Sequence, residues 1–309
     1  MSARQLFDYF KETYQEWQSD DAFQKSASIA YYSVFSLPGL LIIVVTVASL
    51  IWSPDYVEQV ITDQVGGSMG GDTGEQVKTM LQNSRQESNS TMALIVGFAT
   101  LVFGATGVFS QLQKSLNDAW EVELDPDAGI KQTVISRVTA LGIVLALAFL
   151  LIVSLLLSAA LAALDGWIAQ QLPGFPPFIF FIINTLLSVG VLTTLFALMF
   201  KVLPDADVEW KSVWYGAFLT AVLFTIGKFL LGFYFGQSDP GATFGAAGSI
   251  ILIMLWVYYS SLILLFGAEF TQVYARHNGH RLEPSEHARR NAEYRLKQLE
   301  DERGGAYAS

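Results

Sequence analysis

The sequence predicts an all-α polytopic membrane protein: a bundle of six transmembrane helices with the N-terminus and the C-terminus in the cytoplasm. Three observations carry this expectation. The 309 residues are 52 % hydrophobic and only 15 % charged, where a soluble domain carries about 25 % charged residues. The apolar residues, which lift the mean hydropathy to +0.41, gather into runs of the ~20 residues needed to cross about 30 Å of hydrocarbon. Lys and Arg, finally, fall almost entirely in alternate loops.

Residues 1–33 precede the first run. Met1 to Asp21 mix acids, bases and aromatics and have no apolar core of a cleaved signal, so the first span is expected to remain and to direct insertion itself. Within this stretch Leu6, Phe10, Tyr14 and Trp17 follow helical spacing. That spacing predicts a cytoplasmic amphipathic helix in the membrane interface or, equally, one packed on the bundle. The transmembrane domain then occupies residues 34–270. Its spans are expected at about 34–52, 92–112, 138–164, 178–200, 213–235 and 247–270. The runs are continuous, unlike the alternating ten-residue segments of a barrel.

Orientation follows from charge. Arg4, Lys11 and Lys25 precede span one; Lys114, Lys131 and Arg137 follow span two; Lys201 and Lys211 follow span four; seven more bases lie beyond span six. Only Lys78 and Arg85 fall on the other side, in the external loop 53–91. The positive-inside rule therefore places both ends in the cytoplasm. The external loop holds five glycines between Gly66 and Gly74, then a polar stretch with helical potential. It reads as a small cap or as a flexible loop. The charged tail, 271–309, is expected to be helical or disordered after Pro284.

Polar residues inside apolar runs mark candidate sites, because a charge at the bilayer centre costs at least about 2.5 kcal/mol. Lys228 is the clearest. It lies about 22 Å along span five by the helical rise, in the outer half of the bilayer. Two readings stand: a cation facing an aqueous cavity and an anionic group, or a lysine snorkelling to the interface. Gln111, Gln113, Lys114 and Asn117 crowd the inner end of span two, and Arg137 opens span three. They suit either an inner vestibule or interhelical hydrogen bonds. Asn184 in span four shares that ambiguity, and Glu269 near the inner end of span six reads as a path residue or a helix-end carboxylate. Pro38 removes a backbone donor inside span one. Gly232, Gly236, Gly245 and Gly248 permit close packing or a bend.

Several chemistries are not expected. The chain has no cysteine, so disulfides and thiolate metal sites are excluded. No phosphate-binding loop, HExxH or nucleophile elbow occurs. The three histidines, His277, His280 and His287, sit in the charged tail without a metal-ligand pattern. The residues call for no enzyme, no cofactor and no metal. The net charge of −10 does not predict a nucleic-acid partner.

Five stretches, taken together and in order, carry a resemblance. They are Ala30-Tyr31-Tyr32-Ser33-Val34-Phe35-Ser36-Leu37-Pro38; Gly104-Ala105-Thr106-Gly107-Val108-Phe109-Ser110-Gln111-Leu112-Gln113 with Asn117 and Trp120; Leu203-Pro204-Asp205; Gly227-Lys228-Phe229; and Gly245 through Trp256-Val257-Tyr258-Tyr259 to Phe266-Gly267-Ala268-Glu269-Phe270. Over residues 20 to 277 the chain resembles the YihY/BrkB family of bacterial inner-membrane proteins. The resemblance implies six spans. It also brings the family's former label, ribonuclease BN, but a zinc nuclease of that superfamily uses an HxHxDH cluster that this sequence lacks. Other members are linked to envelope integrity, serum resistance and movement of lipid precursors. The expected function is transport or flipping of an anionic lipid or amphiphile, with membrane lipids as partners. The alternatives are export of a soluble, nucleotide-like anion, a non-transporting envelope scaffold and, least favoured, a tRNA-processing ribonuclease.

Overall fold

The computed structural model describes residues 3–48, 52–69, 74–75, 77–79, 81–82, 91–125, 178–238, 248–279 and 283–292. These are mostly helical. In chain order the helices are α1 (Ala3–Ser19), α2 (Ala22–Ala48), α3 (Pro54–Met69), α4 (Thr91–Ala119), α5 (Phe178–Val202), α6 (Trp210–Ser238) and α7 (Gly248–His277). The short strands are β1 (Val122–Leu124), β2 (Ala206–Asp207), β3 (Glu283–Pro284) and β4 (Ala288–Arg290). By length and composition, Ile182–Val202, Trp210–Tyr234 and Ile250–His277 can each cross a membrane. They contain most of the expected fourth, fifth and sixth spans. The expected first and second spans fall mostly within α2 and α4, and the third, 138–164, lies outside the described residues.

Local chemistry sets the helix ends. Ser53 caps α3 through Oγ, which accepts from Tyr56 N at 3.4 Å, and Pro54 takes the first helical position, where a missing N–H costs nothing. α4 ends as Glu121 turns left-handed at φ 55°, with Trp120 N still bonded to Leu116 O at 3.0 Å. α7 ends at Gly279, φ 71°, the left-handed position that glycine fills without a Cβ clash.

The chain divides into two compact units. One comprises Met1–Asp20, Gln113–Leu223 and Leu264–Ser309. Here Tyr9 and Phe10 of α1 pack on Phe270, Val273 and Tyr274 of α7, and Trp17 meets Phe266 edge-on at 6.0 Å. On the flank of this contact Arg276 binds Glu12 and, at 3.3 Å, Glu16. α6 and α7 interlock through small residues. A Cβ at Gly216 would collide with Thr271 Oγ1, and one at Gly267 with Thr220 Oγ1.

The same unit holds two antiparallel strand pairs, β1 with β4 and β2 with β3. β4 corrects the expectation of a helical or disordered tail after Pro284. The reason is that β1 and β2 offer free backbone edges, and tail residues too polar for a core satisfy them. Glu123 opposes Arg289 in register, with Arg289 Nε donating to Glu123 Oε1 at 2.9 Å. Asp207 opposes Glu283, a like-charge pair that Lys201 offsets at 3.3 Å from Asp207.

The other unit comprises Asp21–Leu112 and Phe224–Ile263. In it α2 and α4 approach almost backbone to backbone: a Cβ on Gly104 would lie 2.8 Å from Ser36 Cα, and one on Gly107 would strike the Tyr32 ring. Pro38 lies inside α2, so the helix continues through it with the Val34 carbonyl deprived of its donor. The stretch read as a cap or a flexible loop contains α3. Val57 of α3 packs with Val77 and Leu81, and Trp52, Ile61 and Val65 flank them. Gln82 Nε2 donates to the buried carboxylate of Glu58 at 2.8 Å. These described residues thus form a small helical core of their own.

Candidate functional site

The Lys228 site is built by α6. In its unit, α6 meets α7 through Phe224, whose ring is edge-on to Trp256 at 6.3 Å, and through Gly227, where any Cβ would strike the Tyr259 ring. Those contacts fix the rotation of α6. Ile226, Phe229, Leu230, Phe233 and Tyr234 are left exposed, and Lys228 is exposed with them. Among the described residues no hydrogen bond or ion pair is drawn to its ammonium. Lys228 thus presents its ammonium on an apolar surface of this unit. Gly232 is half-buried in the next turn, Gly236 lies within α6, and Gly248 is the buried first residue of α7.

The polar end of α4 takes a different role. Asn117 Nδ2 donates to Asp205 Oδ2 at 2.8 Å, and Asp205 N donates back to Asn117 Oδ1 at 2.8 Å. Gln113 Nε2 reaches the same carboxylate oxygen at 3.2 Å. Gln113 and Asn117 lie one turn apart, which puts both amides on one helix face. Asp205 O accepts from Ser285 N at 3.0 Å, so one residue receives α4 on its side chain and the tail on its backbone. Beside it the fully buried Trp120 packs on Phe200 at 5.9 Å, and Trp120 O accepts from Arg290 Nη1 at 3.2 Å. Lys201 Nζ closes the loop between α5 and α6 by donating to Val208 O at 2.8 Å. Two side-chain amides on one carboxylate oxygen, with Asp205 N returning a bond to Asn117 Oδ1, make a clamp, since a buried amide without partners is costly.

The structure therefore divides the sequence-predicted residues. Gln113 and Asn117 meet, on Asp205. Lys114 is exposed and Gln111 half-buried on α4. Asn184 is exposed on α5. Glu269 is 3 % exposed within α7. Lys228 and Gln111 belong to the second unit, Glu269 and Asn184 to the first. Arg137 and Gly245 lie outside the described residues. Sequence reasoning missed Asp205 as the hub and the Gly–Thr interlock. The i, i+4 spacing of Gly216 with Thr220 and of Gly267 with Thr271 was a usable signal for the second. Among the described residues no group of three or more His, Asp or Glu is placed to hold a metal ion.

Comparison with known proteins agrees with the stretches quoted above. The chain is 26 % identical over 266 residues to the putative ribonuclease-like protein YfkH of Bacillus subtilis, covering 84 % of this chain and 93 % of that one. It is 25 % identical over 279 residues to a UPF0761 membrane protein of Saccharophagus degradans, covering 86 % of this chain but 59 % of the relative. A UPF0761 membrane protein of Tolumonas auensis is 27 % identical over 247 residues, with 79 % and 77 % covered. The chain thus spans less than two thirds of the length of the Saccharophagus relative. No solved structure matches the chain. The match to the family described as virulence factor BrkB extends over residues 13–292, nearly the whole chain: this protein belongs to the virulence factor BrkB family.

Proposed function

We propose that this protein moves an anionic lipid or amphiphile across the inner membrane, and that Lys228 meets the lipid's headgroup on the way. The observation that carries the reading is the exposure of Lys228 among Ile226, Phe229, Leu230 and Phe233 on α6. An ammonium in that setting is stabilised by an anionic headgroup whose acyl chains cover the neighbouring apolar side chains. The protein is taken to cross the bilayer six times with both termini cytoplasmic, as the Lys and Arg distribution favours. In that topology Lys228 stands in the outer half of the membrane. Gln111, Lys114, Arg137, Asn184 and Glu269 remain candidate residues of the path. Gln113 and Asn117 serve the Asp205 clamp at its inner end.

Leaflet exchange of a fluorescent phosphatidylglycerol in proteoliposomes tests this. Exchange above that of empty liposomes, suppressed in Lys228→Ala, supports lipid movement. Uptake of a soluble anion without lipid exchange would replace it with solute export.

A further inference from the structure

α1 carries two faces with different fates: one packs on α7, and the other is exposed. Tyr9, Thr13 and Trp17, each four residues from the next, are buried, with Phe10 beside them. Glu12 and Glu16 form a flank that holds Arg276. Arg4, Phe7, Lys11 and Tyr14 recur at steps of three and four residues, so they share one side of the helix. All four are exposed, Phe7 at 68 % and Tyr14 at 52 %. The sequence left Leu6, Phe10, Tyr14 and Trp17 equally to the membrane interface or to packing on the bundle; the Phe10 and Trp17 rings pack on α7, at 5.6 Å from Phe270 and 6.0 Å from Phe266. The exposed stripe is therefore a different one, with cations and aromatics alternating along it.

The level of this stripe in the molecule is fixed by Tyr274. Its ring meets Tyr9 of α1 edge-on at 6.3 Å and Tyr215 of α6 at 4.7 Å. Trp210, Trp214 and Tyr215 are all exposed at the start of α6, where aromatic side chains collect at the boundary between hydrocarbon and headgroups. α1 thus sits beside an aromatic belt within one unit. Two cations and two aromatics at headgroup depth match an anionic bilayer surface: the rings insert shallowly and the cations meet phosphates.

We infer that Arg4, Phe7, Lys11 and Tyr14 form a docking stripe for anionic phospholipid headgroups of the leaflet that borders α1. The inference rests on neither lipid transport nor Lys228. Because the chain has no cysteine, single cysteines can be placed at Phe7, Tyr14 and, on the acidic flank, the exposed Asp8. Each is labelled with bimane in the full-length protein. The protein is reconstituted in phosphatidylcholine–phosphatidylglycerol vesicles containing a shallow spin-labelled phosphatidylglycerol or phosphatidylcholine. Labels at Phe7 and Tyr14 should be quenched more strongly than the label at Asp8, and more by the anionic quencher than by the neutral one. That anionic preference should fall about fivefold for each cation removed by Arg4→Gln and Lys11→Gln. Equal quenching at all three positions, or a preference unchanged in the double variant, overturns the inference. Excimer emission from pyrene at Phe7→Cys would also overturn it, by giving the stripe to a second copy of the chain.

Discussion

Thr220 donates its hydroxyl to the Gly216 carbonyl one turn back, and Thr271 does the same to Gly267, both at 2.7 Å. Each threonine then lies against the other helix's glycine. The hydroxyls are satisfied within their own helices, so the contact between α6 and α7 is one of shape. This predicts a sharp contrast. Gly216→Ala or Gly267→Ala should destabilise the protein by about 1–3 kcal/mol, because the new methyl has no room. Gly190→Ala on α5, where nothing lies within 4 Å, should be neutral or stabilising by up to about 1 kcal/mol. Thermal or denaturant unfolding in detergent separates the two; a neutral Gly267→Ala would contradict the interlock. At this scale the sequence was partly legible. Lys228 stood out because a charge in an apolar run is costly wherever it points. The bonding of Asn117 to Asp205 did not, because 88 residues separate them and an amide near a helix end reads the same whether it lines a path or closes a clamp.

The tail shows what an element gains from partners. β3 and β4 are two and three residues long, too short to persist alone. They exist because β1 and β2 supply edges, Asp205 O receives Ser285 N, and Asp125 N donates to His287 O at 3.0 Å. Deleting the chain from Glu283 onward should therefore raise amide hydrogen exchange in two remote segments, 120–125 and 203–208, while the exchange of α5 stays low. Unchanged exchange there would show that the strand pairs contribute nothing to local stability. The same dependence explains why this region was misread. Strand signals in a sequence are periodic runs of four or more residues, and a polar tail pairing two residues at a time leaves none. The apolar helices were legible because their hydropathy needs no partner to be read. α3 was obscured by the glycines in its last turns and just beyond, although Ser53-Pro54 announced its start.

The whole molecule is a membrane protein of the virulence factor BrkB family. Six spans with cytoplasmic ends predict that Glu75→Cys is labelled by a membrane-impermeant maleimide from outside intact cells. Glu286→Cys should react only after permeabilisation. The reverse pattern, or labelling of both from one side in intact cells, would contradict that topology. The hydropathy runs and the family stretches were readable because both are local properties of the chain. The partners of the polar residues were not, because they depend on which elements meet: Gln113 and Asn117 both bond Asp205.

The most direct test of lipid movement compares exchange rates for anionic and zwitterionic fluorescent lipids in proteoliposomes carrying wild type, Lys228→Gln or Lys228→Arg. The account predicts faster exchange of the anionic lipid by wild type, loss of that preference in Lys228→Gln and its return in Lys228→Arg, which keeps the charge. Equal exchange of both lipids by folded wild-type protein, or an anionic preference that survives Lys228→Gln, would contradict it.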